Sequence, residues 1–237
     1  MRHMIQPFNI VERVLRDRIA YFAEIAREQA LLHKIGDLLA VTIFGLAVFG
    51  FVAGLSGHSL VQALISTVKL PFLFLASGII CLPTLYYFSV LFGSRLRFLQ
   101  TVTLILTAQT VAAVLALGAA PISLLFLISG SELMFLVALN TGVLGLAAGL
   151  GLIFLVQGAL YIQQVQPPDK ITFLTWAWLL MKGTFRSLVL MAWIVVYGLV
   201  GTQLSYKLRP FFGVPLVGHD FWSSLGSLIA GLLSMGQ

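Results

Sequence analysis

Residues 69–88, KLPFLFLASGIICLPTLYYF, hold two prolines inside an almost unbroken apolar run. In water, a proline inside a helix removes a backbone hydrogen bond, clashes with the preceding turn and costs about 3 kcal/mol. Within a bilayer, neighbouring helices and side chains re-satisfy the freed carbonyl, so the same run is tolerated. The stretch therefore calls for lipid as its solvent, and the rest of the chain agrees. Hydrophobic residues make up 59% of it and charged residues 9%, against about 25% charged in soluble domains. The sequence predicts an all-α, polytopic transmembrane bundle with a lipid bilayer as its first partner.

A crossing helix needs about 20 mostly apolar residues. Residues 38–55, 70–92, 101–118, 133–160 and 187–206 meet that need, the third with APISLLFLI continuing past Pro121. A last apolar piece, 221–233, has 13 residues and reaches only about 20 Å as a helix. Five spans are therefore expected, with 221–233 lying in the interface, or six if that piece crosses. The organisation divides into a cytoplasmic amphipathic segment (1–37), a helical bundle (38–206) and an outer-face loop with a short apolar helix (207–237).

Orientation follows the excess of Lys and Arg on cytoplasmic loops. The segment before span one, the loop after span two and the loop after span four hold six, two and three basic residues, eleven of the chain's 14. Lys69, Lys207 and Arg209 fall on the other face. This places the N-terminus inside a bacterial inner membrane and, with five spans, the C-terminus outside. The net charge of +6 thus reads as topology. Nucleic-acid binding would require a basic patch on an exposed face, and the basic residues here flank apolar spans.

Helix boundaries carry local signals. Ser59 with Gln62, and Ser129 with Glu132, have the spacing of capping boxes. Asp169 after Pro167 and Pro168 suits an N-cap, and 171–186 is expected as a cytoplasmic interfacial segment. At the N-terminus, Phe8, Val11, Leu15, Ile19, Phe22, Ile25 and Leu32 recur at helical spacing. Glu12/Arg16 and Arg13/Asp17 pair opposite charges four apart. Such a helix is expected to lie in the interface plane. Pro71 is expected to turn an outer surface helix into span two, and Pro83 to free the carbonyl of Ile79.

Chemistry-bearing residues are few. No Asp, Glu, Lys, Arg or His falls at mid-span, where ionisable groups flag ion and proton pathways. Gln109, Asn140 and Gln203 are the uncharged polar candidates, to line a pore or to hydrogen-bond between helices. Arg95 and Arg97 on one face, and Lys207 and Arg209 on the other, are candidates for lipid headgroups or a partner's carboxylate. Phosphate loops, HExxH and nucleophile elbows are missing. The four histidines are scattered outside the spans; His58 and His219 share the outer face, short of the three or four ligands a metal normally takes. Cys81, the sole cysteine, reads as a small buried hydrophobe. No catalytic residue, cofactor or metal is expected. Small-residue ladders at Gly50/Gly54, Ala108/Ala112/Ala116, Gly142/Gly145/Gly149 and Gly198/Thr202/Ser205 point to close helix packing, within the chain or with other copies or subunits.

Three stretches, KLPFLFL with ICLPTLYYF, LGAAPISLLF and VGTQLSYKLRPFFGVP, resemble a family of uncharacterised bacterial multi-pass proteins of five or six spans. The likeness covers most of residues 8–215, and it implies no activity and no site residues. The layout is also similar in topology to the Yip family of membrane-trafficking proteins, without the long cytoplasmic N-terminal region expected there. These features point to a non-catalytic organising subunit of a membrane complex. The alternative is a channel or small-molecule permease built around Pro83, Gln109 and Asn140.

Overall fold

The computed structural model describes residues 6–28, 30–57, 60–91, 97–162 and 185–208. Among them are seven α-helices: α1 (Gln6–Arg16), α2 (Arg18–Ala26), α3 (Leu31–Gly54), α4 (Leu60–Leu91), α5 (Phe98–Ile128), α6 (Leu133–Ile162) and α7 (Phe185–Leu208). A short 3-10 turn, Leu55–Gly57, follows α3. The described residues contain no strand, and α3, α4, α5 and α6 are each long and apolar enough to cross a membrane. Their many large exposed apolar side chains, such as Ile79, Ile128 and Leu146, are what a lipid-facing surface requires, because lipid carries no penalty for them.

Two of the four small-residue ladders, Gly50/Gly54 of α3 and Ala108/Ala112/Ala116 of α5, mark close approaches between helices. A Cβ at Gly50 would stand 2.7 Å from the Ser66 carbonyl oxygen, and one at Gly54 would stand 2.7 Å from the Ala63 Cα. These two glycines therefore let α3 lie against α4 backbone to backbone. A Cβ at Gly151 of α6 would collide with the Ala108 carbonyl of α5. Ala112, Ala113 and Ala116 of α5 are buried. Helix α5 is thus central, with α3, α4 and α6 around it, and α7 packs on α4.

Both prolines of the 69–88 stretch lie inside one continuous helix of 32 residues, so no separate surface helix ends at Pro71. At 1.5 Å per residue α4 is about 48 Å long, beyond the hydrocarbon core of about 30 Å. The third apolar segment likewise runs unbroken through Pro121 for 31 residues. The α5–α6 turn differs from the expected capping box. Ser129 closes α5 instead, its hydroxyl donating to the Leu125 carbonyl at 3.0 Å. Gly130, at φ +73, takes the left-handed conformation that ends the helix.

The N-terminal segment forms two helices where its periodicity suggests one. Asp17, at φ −124 and ψ 52, separates α1 from α2. The buried set is Ile10, Val14, Tyr21, Phe22 and Ile25. These pack into the core with Leu38, Leu104 and Leu155. Leu15, Ile19 and Leu32, expected on the apolar stripe, are exposed. Ser59, His58, Asp169, the 171–184 stretch and 221–233 lie outside the described residues.

Gly151→Leu is expected to lower the thermal midpoint of the detergent-purified protein sharply, since overpacking against backbone costs about 1–3 kcal/mol or more. Gly118→Leu, at a position with nothing within 4 Å, is expected to leave it nearly unchanged.

Candidate functional site

Polar side chains gather in two places. The first joins α2 to the bundle. The Tyr21 hydroxyl and the Thr107 hydroxyl are 2.9 Å apart and buried. Thr107 also donates to the Thr103 carbonyl at 2.7 Å, so its oxygen is free to accept from the phenol. Burial pushes the Tyr21 phenol up to about 12, with the Thr107 bond opposing the shift, and Tyr21 stays neutral.

Beside it, Lys34 Nζ sits 2.7 Å from Glu24 Oε2 and 5.5 Å from the Tyr21 ring centroid. Arg13 approaches the other Glu24 oxygen at 3.8 Å. The hydrogen bond from Lys34 holds the Glu24 carboxyl below its ordinary value, and the Arg13 charge adds to this. Glu28, at φ +58, and Ala30, at φ +50, form the left-handed turn between α2 and α3. Arg97 pins that turn by donating to Glu28 Oε2 at 2.6 Å. Gln100 accepts from the Arg97 N–H at 2.9 Å and donates to the Ile25 and Ala26 carbonyls. One side chain thereby caps the start of α5 and the end of α2.

The second place lies deep between α4, α5 and α7. Gln109 Nε2 donates to the Phe74 carbonyl at 2.6 Å and lies 3.5 Å from the Tyr197 hydroxyl. A Cβ at residue 78 would collide with that amide, so Gly78 is the notch through which Gln109 reaches α4. The Ser77 hydroxyl is 2.8 Å from the same carbonyl and 3.4 Å from the Tyr197 hydroxyl. One turn away, the Trp193 indole N–H donates to the Cys81 carbonyl at 3.0 Å, inside the turn that Pro83 interrupts. Trp193 and Tyr197 place their rings 5.2 Å apart.

A cavity of about 330 Å³ opens beside this node, between α4, α6 and α7. Ser77 and Tyr197 line it together with Leu70, Leu73, Leu144 and Leu152. Gly145 and Gly149 of α6 face it, as do Gly198 and Gly201 of α7. Among the described residues, a Cβ at any of these four would meet nothing within 4 Å. The α3 and α5 ladders are therefore filled by neighbours, and these glycines of α6 and α7 are not.

The expected site residues are dispersed. Gln109 is buried in the α4–α5–α7 node. Asn140 is buried elsewhere, accepting at 2.8 Å from the Ser123 hydroxyl across α5 and α6. Neither lines the cavity, so Pro83, Gln109 and Asn140 do not surround a common space. Gln203 is half-buried on α7. Arg97 is committed to Glu28. Lys207 falls in the last turn of α7, and Arg95 and Arg209 lie outside the described residues. Tyr197, Ser77, Tyr21 and Gln100 do not stand out in the sequence; only the Trp193/Tyr197 pair, four apart, marks one of them. Among the described residues no group of three or more His, Cys, Asp or Glu could hold a metal. No protein-family model matches the chain, and no curated protein or solved structure matches it.

Two outcomes test the α2 attachment. Tyr21→Phe is expected to lower stability by about 0.5–1.5 kcal/mol, the net worth of one hydrogen bond, read as a drop in thermal midpoint. For Glu24 the sign follows from its lowered folded-state value. The pair stabilises fully above the ordinary carboxyl value of 4.5, and that contribution disappears as pH falls through the lowered one. Glu24→Gln should therefore be less stable than the parent at neutral pH, and the difference should shrink in strong acid.

Proposed function

We propose that the chain is a non-catalytic integral membrane protein that organises a membrane complex. On this reading α7 is a fifth span, the N-terminus faces the cytoplasm and the C-terminus lies outside a bacterial inner membrane. The carrying observation is where its deep polar groups go. Gln109, Asn140, Thr42 and Trp193 each bridge two helices, which is structural use of groups that a transport path would keep facing a channel.

The N-terminal layer supports the same reading. Its inner face is locked onto the bundle, and its outer face exposes Arg13 and Arg16 beside Leu15 and Ile19. Basic and apolar residues side by side suit the anionic cytoplasmic surface of a bilayer. Partners would be other membrane subunits or further copies of the chain. With five spans the layout would resemble that of the Yip family in span order.

A second reading, a small-molecule permease, draws on the cavity at Ser77 and Tyr197. The mass and composition of the complex after gentle extraction from native membranes separates the two. Other proteins in fixed stoichiometry are the expected result. A lone chain that carries a solute flux in vesicles, lost in Ser77→Ala or Tyr197→Phe variants that stay folded, would replace the first reading with the second.

A further inference from the structure

We propose that the cavity between α4, α6 and α7 binds a lipid-soluble molecule with one hydrogen-bond acceptor, an ester or ketone carbonyl, held by the Tyr197 hydroxyl. The inference rests on these helices lying in the membrane, as proposed above, and adds a ligand to them.

The protons of the node point to such a ligand. The Ser77 hydroxyl has one proton and two neighbours, the Phe74 carbonyl at 2.8 Å and the Tyr197 oxygen at 3.4 Å. The shorter, stronger bond takes it. Gln109 Nε2 has two protons, one for the Phe74 carbonyl at 2.6 Å and one for the Tyr197 oxygen at 3.5 Å. Tyr197 therefore accepts from Gln109, and its own proton has only the Ser77 oxygen at 3.4 Å within this node. A good O–H···O bond is about 2.7–2.8 Å. An incoming carbonyl oxygen at that distance would be a better acceptor than Ser77.

The walls select the rest of the molecule. Leucines from α4 and α6 and the four glycines line most of it, and no charged residue among the described residues does. A charged group would be desolvated there without a partner, which is prohibitive. A neutral chain with a single carbonyl fits, and the volume falls at the lower end of the range of about 300–1,000 Å³ for ligand pockets. Thr202, which also lines the cavity, already spends its hydroxyl on the Gly198 and Leu199 carbonyls of its own helix. Thr141 and Ser205 also bring hydroxyls to the walls, but within the polar node the donor offered is Tyr197, whose proton has only the long contact to Ser77.

The test uses the full chain in phosphatidylcholine nanodiscs with two photoactivatable probes, a long-chain fatty acid methyl ester and the matching hydrocarbon without the ester. Crosslinked residues are mapped by peptide mass spectrometry. The ester probe is expected to label the cavity walls on α4, α6 and α7. Gly145→Leu and Gly201→Leu, which place side chains in open space, should abolish that labelling while the thermal midpoint holds. Gly118→Leu, equally open but outside the cavity, should not affect it. Tyr197→Phe should weaken competition by unlabelled ester roughly tenfold, the size of one hydrogen bond, and leave the hydrocarbon probe unaffected.

Labelling spread evenly over the lipid-facing surface, and unchanged in Gly145→Leu, would overturn the proposal. So would protection of the cavity in the parent protein by a second copy, seen as a dimer that Gly145→Leu converts to monomer. Either result leaves the organising role to be judged by the composition of the extracted complex.

Discussion

Helices whose backbones meet at alanine and glycine lie close enough for a side chain on one to reach a carbonyl on the next. Helix α5 meets that condition on three sides. Ala113 lies against Gly45 of α3, Ala108 against Gly151 of α6, and Gln109 enters the notch at Gly78 of α4. Lipid offers no hydrophobic drive for helix association, so close packing and hydrogen bonds must hold the bundle. The threonines of α5 then serve twice. Thr110 meets Thr42 at 2.9 Å and returns its proton to its own helix at Leu106. Thr107 does the same between Tyr21 and Thr103.

The N-terminal helices depend on that core. Tyr21 and Ile25 reach α5 because its first turns present Gln100 and Thr107 toward α2. The attachment has a buried half and an exposed half. The Tyr21–Thr107 bond and the Lys34 ammonium against Glu24 are sealed from solvent, whereas Arg13 beside Glu24 and the separate Arg97–Glu28 pair lie at the rim, where screening weakens ion pairs. The buried half supplies the anchoring, and the rim sets the register of the turn at Glu28 and Ala30.

Helices α6 and α7 put the same residue types to a different use. Their glycines are spaced like those of α3, yet among the described residues they border a cavity. Equal ladders thus have unequal fates, and the difference lies in what stands opposite. Gly50 faces the backbone of α4, while Gly145 and Gly201 face a cavity. The polar node of Ser77, Gln109 and Tyr197 sits at the edge of that cavity, which is why the least consumed proton of the node lies there.

Much of the architecture is legible in the amino-acid sequence itself. Apolar length alone marks α3 to α6, because a span in lipid must be long and uncharged, and that constraint is local. The small-residue ladders and the hydrogen-bonding use of Gln109 and Asn140 follow from the same solvent. Tertiary structure decided the rest. Whether a proline run stays helical depends on its neighbours, so α4 and α5 pass through Pro71, Pro83 and Pro121 unbroken. The N-terminal stripe is legible, but its burial is not, because the residues that cover it, such as Leu38, Leu104 and Leu155, are distant in the chain. Tyr197 carries no signal beyond its spacing from Trp193; its place beside Ser77 and Gln109 arises from residues 120 and 88 positions away in the chain. Periodicity reports what one helix prefers, and a site made from three helices exists only once they have packed.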